Sequence, residues 1–187
     1  IAGYYNQNDG SGAQVMAMRL LANGTLDPAF GTGGIAVFTK SGRADSIAIQ
    51  SDGRIVLAGF AAVPSAGNRG LVMRLEANGT LDAGFGSGGI YQSPEAFGYT
   101  ARVARAAADG YRVIAQVPAG GMGWDCSVLG LTGAGVPDAA FGNAGIVKQL
   151  SPGSGSLRCT SLAVQPDGRI LLGGAEDDTD GYVGRLL

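Results

Sequence analysis

The sequence contains no histidine among its 187 residues. Within these residues, this absence excludes Ser-His-Asp and Cys-His catalysis, because both chemistries need an imidazole as the base. It also removes the commonest protein ligand of transition metals. A general acid or base would have to be an aspartate, glutamate, tyrosine or lysine. No residue is therefore assigned a catalytic role, and no metal or other cofactor is expected.

Charged residues are also few, at 15% of the chain with a net charge of −2. The 13 basic residues are scattered singly, whereas nucleic-acid-binding proteins cluster lysine and arginine on one surface. Uninterrupted apolar runs are only a few residues long, well short of the ~20 residues needed to cross a bilayer. We therefore predict no nucleic-acid partner and no membrane span.

Cysteine is scarce as well, with Cys126 and Cys159 alone. A pair of cysteines together with a low lysine content favours an extracellular or cell-surface location. In a simple meander the two residues would lie two strands apart, about 9.6 Å. That distance exceeds the usual Cα separation of a disulfide. A disulfide and two buried free thiols therefore both remain open.

Glycine, in contrast, is abundant, and its 34 residues fall at fixed points of a repeat. The segment ANGTLDPAFGTGGI ends at Ile35 and returns as ANGTLDAGFGSGGI, which ends at Ile90. A third copy, GAGVPDAAFGNAGI, ends at Ile146. A period of about 55 residues is typical of stacked-repeat architectures. The glycines lack a three-residue period, so they indicate tight turns and not collagen.

Each period contains four apolar runs separated by turn signals. In the first period the runs cover residues 13–21, 35–39, 46–50 and 54–62. Turns are predicted at Asn23-Gly24 and Asp52-Gly53, and the second of these is a hairpin signal. The pattern predicts four antiparallel strands per period. The fourth run is apolar on both faces, which is typical of a strand buried between two layers.

These features predict an all-β fold, a β-propeller of about three four-stranded blades in one domain over residues 1–187. The expected repeats cover approximately 13–68, 69–123 and 124–180, and a linear β-solenoid is the alternative. Residues 1–4 match the end of a fourth strand, and residues 182–186 match a first strand. We expect an incomplete ring, completed by further blades of a longer chain or by a homodimer.

The pattern R-L-x-A-N-G-T-L-D-x-x-F-G-x-G-G-I, followed by A-I-Q-x-D-G-R-I-V-L-A-G, resembles the bacterial delta-60 repeat. Residues 19–35 with 48–59, and residues 74–90, carry the closest resemblance. The resemblance implies a β-propeller-like tandem array in a secreted or surface-associated bacterial protein, and it implies no general activity. The third copy departs from the pattern, because Gly130 replaces the arginine and Pro137 replaces the leucine.

Asp27, Asp82 and Asp138 recur at one position of the repeat, three residues before Phe30, Phe85 and Phe141. An aspartate there can accept a hydrogen bond within its own turn. Arg19 and Arg74 each lie eight residues upstream of their aspartate, close enough in a hairpin to form an ion pair. We therefore interpret the aspartates as structural, with a repeated ligand-binding carboxylate as the alternative. The phenylalanines are predicted to fill the core.

The acidic segment at residues 176–181 has the alternate-carboxylate spacing of a calcium loop but lacks a downstream bidentate glutamate. Calcium is accordingly the one cofactor that this sequence leaves open. Trp124, Tyr4 and Tyr5 are expected in or beside loops between blades, where aromatic side chains can contact a protein or glycan partner.

The sequence favours a non-catalytic scaffold or binding module. The alternative is a propeller enzyme of hydrolase or lyase type, whose active site at the ring axis would use acidic residues of this chain together with segments not present in it. A third hypothesis is a structural spacer in a long surface protein. Fold alone does not decide among these functions.

Overall fold

The computed structural model describes residues 1–6, 12–96, 101–119, 123–148, 150, 156–176 and 180–186. Within them lie thirteen β-strands and one 3₁₀ turn at Ala107–Asp109. The strands are β1 Ala2–Asn6, β2 Ala13–Met18, β3 Ile35–Ile49, β4 Ile55–Val63, β5 Gly67–Leu75, β6 Ile90–Ala96, β7 Ala101–Arg105, β8 Tyr111–Pro118, β9 Trp124–Leu131, β10 Ile146–Val147, β11 Leu157–Val164, β12 Ile170–Glu176 and β13 Asp180–Leu186. The predicted all-β class is confirmed. Across the described ranges, no helix has the length and apolar character needed to cross a bilayer.

The strands form antiparallel sheets in which neighbours in the chain are neighbours in space. The long strand β3 takes part in two of them, since residues 35–41 pair with β2 and residues 42–49 pair with β4. The first sheet therefore contains β1, β2 and the start of β3, and the second contains the end of β3 with β4, β5 and β6. Strands β7 to β10 form the third sheet and β11 to β13 the fourth. Over the part of the chain described here, these sheets do not close into a ring.

The sheets are offset from the sequence period. We expected the four runs of one period to form one sheet, but the second sheet joins the last two runs of one period to the first two of the next. The reason lies in β3, which is continuous where two separate strands were predicted. Its backbone passes from one sheet to the next at Gly42, which has a φ of 144°. Few L-residues adopt such a value, so glycine suits the crossing.

Neighbouring sheets pack face to face through three apolar cores. The predicted burial of the fourth run on both faces is confirmed in β4, where Leu57 faces the first core and Val56 the second. Both side chains are almost completely buried. The first strands of adjacent sheets also contact one another, and the Val103 N–H donates a hydrogen bond to Ser46 Oγ at 3.2 Å. This side-by-side placement of first strands is typical of blades around an axis.

Two β-bulges shape the first strands of the second and fourth sheets. The bulge between Ala44 and Ser46 lies opposite Gly59, and the bulge between Cys159 and Ser161 lies opposite Gly174. A Cβ on Gly59 would overlap the Arg43 carbonyl oxygen, and one on Gly174 would overlap the carbonyl oxygen of the preceding strand in the same way. Both glycines are therefore required by the close approach of backbone to backbone.

We expect Gly59→Ala to lower the free energy of unfolding by about 3 kcal/mol, because the backbone of two strands must move to admit one methyl group. Gly3→Ala is the matched control, since a Cβ on Gly3 has nothing within 4 Å, and it should change stability by less than about 0.5 kcal/mol. Urea unfolding followed by circular dichroism measures both. Equal stability of the two variants would contradict this account of the bulge.

Candidate functional site

The three recurring aspartates each organise a turn. The carboxylate Oδ1 of Asp27 accepts a hydrogen bond from the Ala29 N–H at 3.0 Å, and Asp82 and Asp138 accept the equivalent bonds at 2.9 and 3.2 Å. The N–H of each following phenylalanine also bonds to the carbonyl of its aspartate. The predicted role of these aspartates in their own turns is confirmed.

The predicted ion pairs are present in the first two copies. Arg19 Nε lies 2.7 Å from Asp27 Oδ2, and Arg74 Nε lies 2.7 Å from Asp82 Oδ2. Each guanidinium also lies over the following phenylalanine ring, at 5.0 Å from the Phe30 centroid and 4.9 Å from that of Phe85. This geometry adds a cation–π interaction to the ion pair.

The glycine turn of the following repeat covers each of these rings. Gly79 packs on Phe30 so closely that a Cβ would lie 2.9 Å from the ring, and Gly135 packs on Phe85 in the same way, at 2.7 Å. The Gly31 N–H donates to the Asn78 carbonyl at 2.8 Å, and the Gly86 N–H donates to the next repeat at the same distance. The recurring residues therefore join one repeat to the next, and Phe30 and Phe85 are completely buried.

The third copy reaches the same arrangement by a different residue. Gly130 leaves room for the Phe141 ring, and Arg112 lies directly opposite Gly130 on β8. Arg112 Nη2 is 3.2 Å from Asp138 Oδ2, and its guanidinium lies 4.2 Å from the Phe141 centroid. Sequence reasoning missed this replacement, because the arginine lies on the neighbouring strand, opposite Gly130, and not at the equivalent position of the repeat. Phe141 is only half-buried.

The middle copy is the most enclosed. Arg74 and Asp82 are both buried, and Arg74 also donates to the Gly133 carbonyl. Burial alone would raise the pKa of Asp82. The Gly84 N–H, Arg74 and Arg54 outweigh it, so the pKa of this carboxyl is lowered. Tyr111 contacts the Phe85 ring edge-on, with 5.9 Å between the two ring centroids. Burial raises the pKa of the Tyr111 hydroxyl.

A second charged cluster lies on the first strands of the second and third sheets. Arg43 Nε is 2.7 Å from Asp45 Oδ1. Burial raises the pKa of Asp45 against the opposing effect of Arg43 and Arg102. The sequence analysis did not single out Asp45. Its position on a first strand is the one that an acidic residue at a propeller axis would take.

Cys126 and Cys159 form a disulfide with a Cα separation of 6.0 Å. The expected two-strand distance does not apply, because Cys126 lies on β9 of the third sheet and Cys159 on β11 of the fourth. Both side chains are buried in the core between those sheets. The bridge therefore joins two sheets.

The aromatic residues expected in or beside loops lie at or near the ends of strands. Tyr4 and Tyr5 belong to β1, and Trp124 is the first residue of β9. Tyr4 and Tyr5 are 56% and 42% exposed. Of the proposed calcium segment, residues 177–179 lie outside the described residues, so its ligands cannot be placed. Elsewhere, the described residues contain no group of three acidic or cysteine side chains suited to a metal ion.

Two adjoining cavities lie where the edge strands of neighbouring sheets meet. One measures about 400 Å³ and is lined by Lys148, and the other measures about 530 Å³ and is lined by Lys40. Tyr91 and Pro137 line both. Sequence reasoning missed this groove. The sequence feature that could have indicated it is the position of both lysines and Tyr91, each within five residues after a glycine-rich segment.

Residues 1–30 and 50–85 match the model of a family described as a domain of unknown function (DUF5122) β-propeller. The match covers roughly a third of the chain and supports a propeller-like repeat family, in agreement with the antiparallel sheets. Among curated proteins, none matches the sequence significantly.

We expect Asp82→Ala to cost about 2–4 kcal/mol, because it leaves the buried Arg74 guanidinium without its carboxylate. Asp27→Ala is the matched control at the same repeat position. It should cost only about 1 kcal/mol, since Arg19 is partly exposed. The lowered pKa means that the Asp82 contribution is present above its ordinary pKa, near 4, and is lost as pH falls through the lowered value.

Urea midpoints measured between pH 2 and pH 7 test both statements. The difference between the wild type and Asp82→Ala should shrink below about pH 4. A difference that stays constant to pH 2, or equal losses for Asp27→Ala and Asp82→Ala, would contradict the assigned role of the buried pair.

We expect the double variant Cys126→Ala with Cys159→Ala to be less stable by about 3–4 kcal/mol, because the bridge closes a loop across 33 positions of the sequence. A reductant should lower the unfolding midpoint of the wild type and leave that of the double variant unchanged. A wild-type midpoint that is insensitive to reductant in the unfolding experiment would rule out this stabilising role.

Proposed function

We propose that this chain is a non-catalytic scaffold or binding module built from propeller-like repeats. The observation that carries the proposal is that the recurring polar residues have structural partners in their own repeat and in the next one. Arg74, Asp82 and their equivalents bind one repeat to the next, so the repeated side chains serve packing. Recognition then falls to the loops and to the grooves between sheets, which are the usual binding surfaces of such scaffolds.

The proposal extends to the setting of the module. We assign it to the delta-60 type of repeat in a secreted or surface-associated bacterial protein, with a protein or glycan as partner. The repeated glycine-rich segment and the disulfide favour this setting. Further blades from a longer chain or from a second copy would complete the ring, and the module works without a cofactor, with calcium at residues 176–181 as the exception still to be tested.

A propeller enzyme of hydrolase or lyase type is the second candidate, and Asp45 is the observation that favours it. This carboxyl lies on a first strand beside Arg43, and burial raises its pKa. A raised pKa is one property of a general acid. Structural ion pairs also shift pKa values, so the activity measurement below decides between the two roles.

A survey of polysaccharides separates the two candidates. The intact protein is incubated with neutral, carboxylated and sulfated polysaccharides, binding is measured by biolayer interferometry, and the recovered polymer is analysed by mass spectrometry. We expect saturable binding to at least one polymer and no change in its mass. Asp45→Asn should leave that binding unchanged.

Shortened or unsaturated chains that disappear with Asp45→Asn would overturn the non-catalytic proposal in favour of the enzyme. If the protein binds none of the polymers and no member of a matched panel of extracellular proteins, the binding module is wrong and the spacer hypothesis replaces it.

A further inference from the structure

We propose that Asn23 is a modification site, at which the chain converts its own side-chain amide to a carboxylate by way of a cyclic imide. The chemistry is set by the Asn-Gly pair, because glycine has no Cβ to hinder attack by its backbone nitrogen on the preceding side chain. The same pair recurs at Asn78 and Gly79. The structure distinguishes the two copies, and it leaves the first one able to react.

The reaction needs water and no other reactant. The backbone nitrogen of Gly24 loses its proton to water and attacks Asn23 Cγ, the bond from Cγ to Nδ2 breaks, and Nδ2 takes up a proton and leaves as ammonia. Water then opens the imide on one side to give aspartate, or on the other to give isoaspartate, in which the main chain runs through Cγ. Nothing is oxidised or reduced. The attack is fast because both groups belong to adjacent residues.

The side-chain carbonyl of Asn23 is polarised for this attack. Asn23 Oδ1 accepts a hydrogen bond from the Thr25 N–H at 3.1 Å and a second one from the Thr25 hydroxyl at 2.7 Å. Two donors on this oxygen stabilise the negative charge that develops on it when Cγ is attacked. Asn78 accepts the same two bonds from Thr80, at 3.0 and 2.8 Å. Activation of the carbonyl is therefore common to both copies.

The two copies differ in the surroundings of the glycine that must move. In each turn the glycine N–H donates to the carbonyl three residues earlier at 2.9 Å, so the nitrogen must leave that bond before it can attack. Gly24 is exposed, and a Cβ placed on it would have nothing within 4 Å. Gly79 is buried, and a Cβ on it would lie 2.9 Å from the Phe30 ring. The peptide can therefore rotate in the first turn and is blocked in the second.

The backbone before Gly79 is also held in place. The Asn78 carbonyl accepts the Gly31 N–H at 2.8 Å, and the Ala77 carbonyl accepts a hydrogen bond from Arg19. Both donors belong to the preceding repeat, so the second turn can rotate only when the two repeats separate locally. Such an opening costs free energy, which an exposed turn does not need. Asn78 should therefore react through a rare open state.

The sequence supplies the control for this comparison. Residues 22–27 and 77–82 both read ANGTLD, so the two sites have the same local chemistry in the unfolded chain. The intact protein is incubated in mildly alkaline buffer, with and without urea, and then digested with trypsin. Mass spectrometry measures the conversion of amide to acid in the peptides of residues 20–40 and 75–102, which separate the two sites.

In the folded protein we expect Asn23 to react at least about tenfold faster than Asn78, because local opening limits the second site. In urea the two rates should be equal. The peptide of residues 20–40 should contain isoaspartate as well as aspartate, because only the imide can open on either side. Direct hydrolysis of the amide gives aspartate alone.

Phe30→Leu tests the cause of the difference, because it removes the ring that covers Gly79. Asn78 should then react at least about threefold faster, while Asn23 keeps its wild-type rate. Phe85→Leu is the matched control at the equivalent position of the next repeat, where the ring lies under a different glycine turn. It should leave the rate at Asn78 unchanged. Melting temperatures show whether both variants are folded during the incubation.

Equal rates at the two sites in the folded protein would overturn the proposal. So would an Asn23 that stays intact in the folded protein and reacts in urea, because the first turn would then be protected as well. Aspartate without isoaspartate would rule out the imide route. A rate at Asn78 that does not respond to Phe30→Leu in a folded variant would overturn the protective role assigned to the ring.

Discussion

The packing of one glycine turn on one phenylalanine ring sets the relation between successive repeats. Gly79 has a φ of 92° and lies against Phe30, so the position requires glycine both for its backbone conformation and for its lack of a side chain. Any larger residue would push the following repeat away from the ring. The apolar cores on either side depend on that spacing, because they fill the gap between sheets that the turn and the ring hold together.

The buried polar residues around the Phe85 ring are stable there because each charged group has a partner of opposite charge or a hydrogen-bonding partner. Arg74 binds the Asp82 carboxylate and the Gly133 carbonyl, while Asp82 also accepts the Gly84 N–H. A buried charge without such partners would be strongly destabilising. The set reaches into the next repeat, so formation of one repeat favours docking of its neighbour. This is the nearest-neighbour coupling expected of stacked repeats.

Local chemistry made much of this structure predictable. The turns at Asn23-Gly24 and Asp52-Gly53, the aspartate turns and the pair of Arg74 with Asp82 all follow from residues close in sequence. The offset of the sheets was not predictable, since a strand that bends at Gly42 and two strands separated by a turn give the same pattern of apolar runs. Arg112 and the disulfide were missed or left open for a related reason. Their contacts cross between strands or sheets whose pairing the sequence period does not specify.

The two adjoining cavities show which positions of such a repeat are free to vary. Residues that hold the repeats together recur at fixed positions. At the positions of Lys40, Tyr91 and Lys148, in contrast, each copy of the repeat has a different residue type. They lie on or beside edge strands, and a change there leaves the phenylalanine and its glycine turn untouched. Edge positions can therefore vary in charge and shape at little cost in stability. A fold that concentrates its constraints in a few repeated contacts leaves the borders between its sheets free to change in sequence, and two such borders meet at Tyr91.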